Sequence, residues 1–103
     1  MSKYHSKRTI VDGISFASKK EAKRYGELKL LQRSGQIADL KLQSKIRCTV
    51  NSHHVCDYIA DFFYIDRTTF RDVYEDAKGF KTPIYRLKKK LVAACTGIEI
   101  KEV

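Results

Sequence analysis

Tryptophan is missing from this chain of 103 residues, and proline and methionine each occur once. With Pro83 as the single proline, a proline-rich linker or polyproline architecture is excluded. Three cysteines, an odd number, cannot all pair within the chain, which points to a reducing compartment. No apolar run approaches the roughly 20 residues a membrane-spanning helix needs. The opening MSKYHSKR is polar and basic, so neither a signal peptide nor a membrane anchor is expected, and the cytoplasm is the expected location. Acids are scarce too, 12 against 21 Lys and Arg, leaving a net charge of +9.

What remains is ordinary globular material: 43% of residues are apolar, with 5 Phe and 6 Tyr. A chain of this length predicts one domain over residues 1–103, with Met1 to Ser6 loose. Its positive charge favours a polyanion, most often nucleic acid, over an anionic membrane. The distribution of charge is more telling than its sum. Ala77 to Ile98 holds six basic residues, Lys78, Lys81, Arg86, Lys88, Lys89 and Lys90, and no acid, whereas six of the twelve acids fall between Asp57 and Asp76. A divalent cation is one reason for a basic protein to gather its carboxylates.

Local signals give the element order. Asp12-Gly13 between short apolar pairs predicts a hairpin over Lys7 to Phe16. Ser18-Lys19-Lys20-Glu21 matches a capping box and starts a helix whose apolar positions are Ala22, Tyr25, Leu28 and Leu31, closed by Gly35. Ile37 to Gln43 reads as extended and Lys45 to Val50 as a strand, with Asn51-Ser52-His53 as the turn. Val55 to Ile65 and Phe70 to Lys78 follow as strands, too closely connected for parallel crossovers, so the three form an antiparallel meander. Thr82-Pro83 starts a last helix with Ile84, Leu87, Leu91, Ala94 and Cys95 as its buried stripe and Gly97 as its end. Ile98 to Val103 alternates like a final strand. The expected fold class is α/β in the broad sense (α+β): a mixed sheet with an antiparallel meander, flanked by two helices.

Alternation places Ile59, Asp61 and Phe63 on one face of their strand and Tyr58, Ala60, Phe62 and Tyr64 on the other. With apolar residues on both faces, that strand should be central and covered on both sides, an expensive place for Asp61 unless something pairs with it. On the next strand Asp76 and Lys78 share a face, while Glu75 projects oppositely and is expected at the surface. Phosphodiester hydrolysis needs a cation on a non-bridging oxygen, an in-line water and stabilisation of developing charge. Asp61 and Asp76, with the Ala77 carbonyl, form a candidate Mg²⁺ site that Mn²⁺ should also fill, and Lys78 is the candidate water-orienting group. Glu21 points toward the apolar side of its helix, so it is either the capping residue or a further carboxylate of the site.

YIADF, then VYEDAKG, then a basic helix opened by Thr-Pro resembles the PD-(D/E)XK nuclease superfamily, the restriction-endonuclease-like fold. With the opening TIVDGISFASKKEAKRYGEL, the whole chain is similar to small phage-encoded proteins of that superfamily. The resemblance implies a phage or prophage protein in a bacterial host, with catalytic positions at Asp61, Asp76, Lys78 and Glu21. Ala60 stands where the superfamily name has Pro, and Asp76 takes the D/E position.

The implied activity is a Mg²⁺-dependent endodeoxyribonuclease on branched or otherwise structured DNA, such as a four-way Holliday junction, in recombination, replication or packaging. It implies no organic cofactor. A homodimer is expected, because cutting two strands in one encounter needs two sites. Lys81, Tyr85, Arg86, Lys88, Lys89 and Lys90, with Lys19, Lys20 and Lys23 on the first helix, are the expected DNA contacts. The rival is a non-catalytic nucleic-acid-binding module of the same fold; a nuclease for single-stranded DNA or RNA is also open. Cys48, His53, His54 and Cys56 match no common zinc spacing.

Overall fold

A computed structural model describes residues 8–77 and 81–103. Its elements are β1 (Thr9–Val11), β2 (Ile14–Phe16), α1 (Lys19–Arg33), β3 (Ile37–Val50), β4 (His53–Asp66), β5 (Arg71–Asp76), α2 (Pro83–Thr96) and β6 (Ile100–Glu102). They build an α+β fold from a two-stranded β1–β2 sheet and a four-stranded mixed sheet ordered β3-β4-β5-β6. β3, β4 and β5 form the expected antiparallel meander, and β6 joins β5 in parallel. Among the described residues, no helix is long and apolar enough to cross a membrane.

Turn chemistry explains the boundaries. Asp12 and Gly13 both have left-handed φ, 53° and 75°, the combination that suits a two-residue hairpin turn. Asn51 and Ser52 repeat it at 51° and 66°, so the expected three-residue turn shortens to two and His53 opens β4. Ser18 Oγ accepts the Glu21 N–H at 3.1 Å, which caps α1. Thr82 Oγ1 accepts the Tyr85 N–H at 3.1 Å to cap α2, whose first residue is Pro83. The extended stretch predicted from Ile37 joins the strand after it into one 14-residue β3.

Among the described residues the core forms two clusters. Phe16, Ala22, Tyr25, Leu28, Ile37, Phe62 and Tyr64 pack between α1, the β1–β2 hairpin and the sheet. Ile46, Cys48, Tyr58, Ala60, Val92 and Ile100 pack beneath α2. Truncating a fully buried residue such as Leu28 to alanine should cost about 2–5 kcal/mol.

That division corrects the expected faces of β4. Tyr58 and Ala60 serve the α2 cluster while Phe62 and Tyr64, of the same parity, serve the α1 cluster. The change falls at Asp61, which faces Gln43 in the β3–β4 pair. Leu42↔Phe62 and Ser44↔Ala60 are in register, whereas Gln43 takes a left-handed φ of 52° and leaves the ladder between them. A positive φ in mid-strand breaks strict alternation, because the chain turns about that residue. Nor is β4 covered on both sides throughout, since Ile59 is 49% exposed.

The buried stripe expected on α2 is also corrected. Val92 is its one fully buried residue; Ile84 and Leu87 are 68% and 58% exposed, Ala94 is exposed, and Leu91 and Cys95 are half-buried. The helix leans on the sheet through Tyr85 and Val92, a sector turned away from the stripe that its apolar spacing suggests.

Candidate metal and phosphodiester site

Asp61 and Asp76 meet where β4 and β5 part. The β4–β5 ladder ends at Phe62↔Glu75, one step before the two aspartates would pair, while β5 continues alongside β6 through Asp76↔Glu102. Side chains fill the place of the missing rung. The Asp61 N–H donates to Asp76 Oδ1 at 2.9 Å, and the Ala77 N–H donates to Asp61 Oδ2 at 2.9 Å. Each strand's carboxylate thus takes a backbone donor from the other segment. The Tyr58 hydroxyl donates to Asp76 Oδ2. Both carboxylates are buried, Asp61 at 6% exposure and Asp76 at 0%.

Glu21 comes to the same region from the first turn of α1. It is 6% exposed, accepts the Gln43 Nε2 amide at 3.3 Å and shares with Asp61 a cavity of about 380 Å³. Arg8, Ser15, Phe16 and Gln43 complete much of that wall, so the β1–β2 hairpin stands beside the carboxylates. The Arg8 guanidinium donates to Ser15 Oγ at 2.9 Å across the hairpin. Tyr25, donating to Asp12 Oδ2 at 3.2 Å, ties the hairpin turn to α1, and burial followed by the Asp12 contact pushes its hydroxyl pKa up.

Glu75 has a different life from its neighbour and is corrected from a surface residue to a buried one, 0% exposed. Arg24 of α1 donates to both its oxygens, Nε to Oε1 at 2.8 Å and Nη2 to Oε2 at 2.7 Å, and the Tyr64 hydroxyl donates to Oε2 as well. Bidentate pairing of this kind fixes geometry as well as charge. The Glu75 hydrogen bond leads the forces that raise the Arg24 pKa, and burial leads those that raise that of the Tyr64 hydroxyl. Of the two adjacent acids, Asp76 lies beside Asp61, and Glu75 locks α1 to β5.

The donor set fits a hard divalent cation in kind. Mg²⁺ is held by one or two carboxylates with the rest of its shell left to water and phosphate, and Asp61, Asp76 and the Ala77 carbonyl are all oxygen donors. Among the described residues, no three His, Cys, Asp or Glu side chains form one metal-holding group. Lys78, the expected water-orienting residue, lies outside the described residues.

The expected DNA contacts sort into two sets. Lys81 and Lys89 each pair with Glu102 at 3.3 Å, and the Tyr85 hydroxyl donates to the same carboxylate at 2.8 Å. Those partners, the Tyr85 hydrogen bond first, pull the Glu102 pKa down to about 2. Burial, then Glu102, then the charge of Asp76 push the Tyr85 hydroxyl up, with Asp61 adding less, so the field of the aspartate pair reaches the start of α2. Lys88 Nζ reaches the Asp57 carbonyl at 3.4 Å. Arg86 and Lys90 on α2, and Lys19, Lys20 and Lys23 on α1, are exposed.

Three of the four candidate zinc ligands, Cys48, Cys56 and His54, have other engagements. Cys48 and Cys56 are direct cross-strand partners, and burial followed by the Cys56 contact pushes the Cys48 thiol up to about 11. The His54 ring lies 2.9 Å from Asp57 Oδ1, a contact that leads the lowering of the Asp57 pKa.

Tyr58 and Gln43 carry no signal in the sequence for the roles they take here. Strict alternation turns Tyr58 away from Asp61, and its reach to Asp76 depends on the ladder ending early. Gln43 meets Glu21 only because β3 turns left-handed at that residue.

Searches of curated proteins and of solved structures found no match. A family model matches residues 1–97, nearly the whole chain, and the chain belongs to that family, described as a protein of unknown function (DUF1064).

Proposed function

We propose that this protein is a metal-dependent endodeoxyribonuclease that hydrolyses phosphodiester bonds in branched or otherwise structured DNA. The observation that carries the reading is the pair of buried aspartates from adjacent strands, each held by a backbone N–H of the other segment, with Glu21 facing the Asp61 cavity. Burying two carboxylates side by side is costly, and a site that exists only to be stable has cheaper solutions in apolar residues.

In this reading Asp61, Asp76 and the Ala77 carbonyl hold Mg²⁺, or Mn²⁺ in its place. The bound ion supplies Lewis-acid polarisation of the scissile phosphate and lowers the pKa of the attacking water. The chain's residues do the rest. The Asp61 and Ala77 N–H groups and the Tyr58 hydroxyl fix the two carboxylates, so that little reorganisation is needed when substrate arrives. Glu21, steadied by Gln43, faces the Asp61 cavity, where it could accept a proton from water. Lys78 would orient the water and meet the charge developing on phosphate. Arg86, Lys90 and the exposed lysines of α1 would bind the flanking backbone, a charge contact that reads shape rather than sequence.

The test is a cleavage panel with purified protein on duplex, single-stranded, flap and four-way-junction DNA and on RNA, with Mg²⁺, Mn²⁺ or EDTA. Metal-dependent cutting of junction or flap DNA is the expected result. Binding without cutting of any substrate would make the protein a non-catalytic nucleic-acid module instead.

A further inference from the structure

Arg8 is not among the basic residues expected to meet DNA, yet it lines the cavity that holds Asp61 and Glu21. The residue is exposed, and its Nε donates to Ser15 Oγ at 2.9 Å, a bond that ties the side chain to the second strand of the hairpin. Among the described residues its two Nη groups have no partner, so Arg8 forms an ion pair with neither Asp61 nor Glu21. One cavity thus carries two acids and a guanidinium that do not neutralise each other by contact.

The hairpin that carries Arg8 is fastened to α1. Phe16 is 3% exposed and packs on Tyr25 with ring centroids 5.0 Å apart, and the Tyr25 hydroxyl donates to Asp12 in the hairpin turn. Both ties run to the helix whose first turn supplies Glu21. Arg8 and Glu21 are therefore held on one framework, as pre-positioned charge requires. The cavity between them, about 380 Å³, falls within the roughly 300–1,000 Å³ of small-ligand pockets.

The signs on this wall select the ligand. A free cation drawn to Asp61 and Glu21 gains nothing from Arg8, and a free anion drawn to Arg8 meets two carboxylates. A phosphodiester with its metal ion presents both signs at once. We propose that Arg8 binds a backbone phosphate of DNA in this cavity, at or beside the bond that is cut. The identity of the ligand rests on the nuclease reading above. A guanidinium fork matches two phosphate oxygens, which an ammonium meets only as a point charge. The exposed lysines of α1 would hold flanking backbone, whereas Arg8 shares the cavity of Asp61 and so acts on the cutting step as well as on binding.

Two measurements on the full chain test this: a salt titration of four-way-junction binding in EDTA, and single-turnover cutting at saturating protein with Mg²⁺. Arg8→Ala should flatten the slope of log affinity against log salt by about 0.9, the share of one phosphate, and slow saturated cutting about 10- to 100-fold at an unchanged melting temperature. Arg8→Lys should restore the slope but only part of the rate. Arg8→Gln, which can still bond Ser15, carries the same test should Arg8→Ala fail to fold. An unchanged slope would overturn the proposal whether or not wild type cuts, and so would an unchanged saturated rate where wild type does cut. Equal losses in Arg8→Ala and Ser15→Ala, with equally lowered melting temperatures, would overturn it too and make Arg8 a brace of the hairpin. A wild type that cuts nothing, with the slope still flattened by Arg8→Ala, would remove the nuclease reading and keep the phosphate contact.

Discussion

The backbone N–H of Asp61 donates to the carboxylate of Asp76 at 2.9 Å, across a gap where the β4–β5 ladder has already ended. The side chain of each strand thereby completes the hydrogen bonding that the other would otherwise lack. It also sets two buried anions side by side, and the functional reading grows from that relationship.

Asp61→Asn and Asp76→Asn should each abolish cleavage while leaving DNA binding intact, since an amide keeps the shape but loses the charge that holds a cation. Tyr58→Phe removes only the hydroxyl that steadies Asp76, so activity should fall about 10- to 100-fold, the usual scale for an outer support of a metal ligand. Steady-state kinetics over a Mg²⁺ titration separates the two. Tyr58→Phe should recover in part at high metal, and the asparagine variants should not.

Glu75→Gln should behave in the opposite way. Breaking the pair leaves Arg24 half-buried without its bidentate partner, at a cost of about 3–5 kcal/mol. Urea unfolding should show this loss, and the surviving folded fraction should still cut. A stable, inactive Glu75→Gln would exchange the roles given to Glu75 and Asp76.

Glu102 predicts an acid limit. Its pKa is pulled down to about 2 from the ordinary carboxylate range, so the folded state favours the ionised form. That contribution is fully present above about pH 4.5 and is lost as pH falls toward about 2. Thermal melts across this window should show wild type losing stability, and Glu102→Gln, already less stable at neutral pH, losing less.

Much of the architecture is legible in the sequence because local chemistry decides it. Asp12-Gly13, the Ser18 cap, Thr82-Pro83 and the spacing of Ala22, Tyr25 and Leu28 each act within a turn or two of themselves. The misses share a different cause. Ile84 and Leu87 carry a core-like period, but which side of a helix meets the sheet depends on distant partners, here Tyr58 and Ala60. Alternation alone assigns Glu75 to the surface, because it cannot see Arg24, 51 residues away. Gln43 escapes notice because a left-handed glutamine in mid-strand has no sequence signature. Asp61 and Asp76 stand out because two-residue alternation and an unusual acid density both mark them, and neither depends on long-range packing.

Salt dependence should separate the two sets of lysines and arginines. Arg86→Ala with Lys90→Ala should weaken binding to all DNA forms and flatten the slope of log affinity against log salt by about 0.9 for each phosphate no longer neutralised. Lys81→Ala and Lys89→Ala should instead lower the melting temperature by releasing Glu102, with little change in that slope. Fluorescence anisotropy at several salt concentrations, with a thermal melt of each variant, reads both.

The central claim is that the Asp61–Asp76 pair holds a metal ion for phosphodiester hydrolysis, and its most direct test is one comparison on labelled four-way-junction DNA. Wild type should cut with Mg²⁺, stop when EDTA is added and resume when Mg²⁺ is restored, while Asp76→Asn binds the same junction and does not cut. Cutting by wild type that persists in EDTA, or by Asp76→Asn at the wild-type rate, would contradict it.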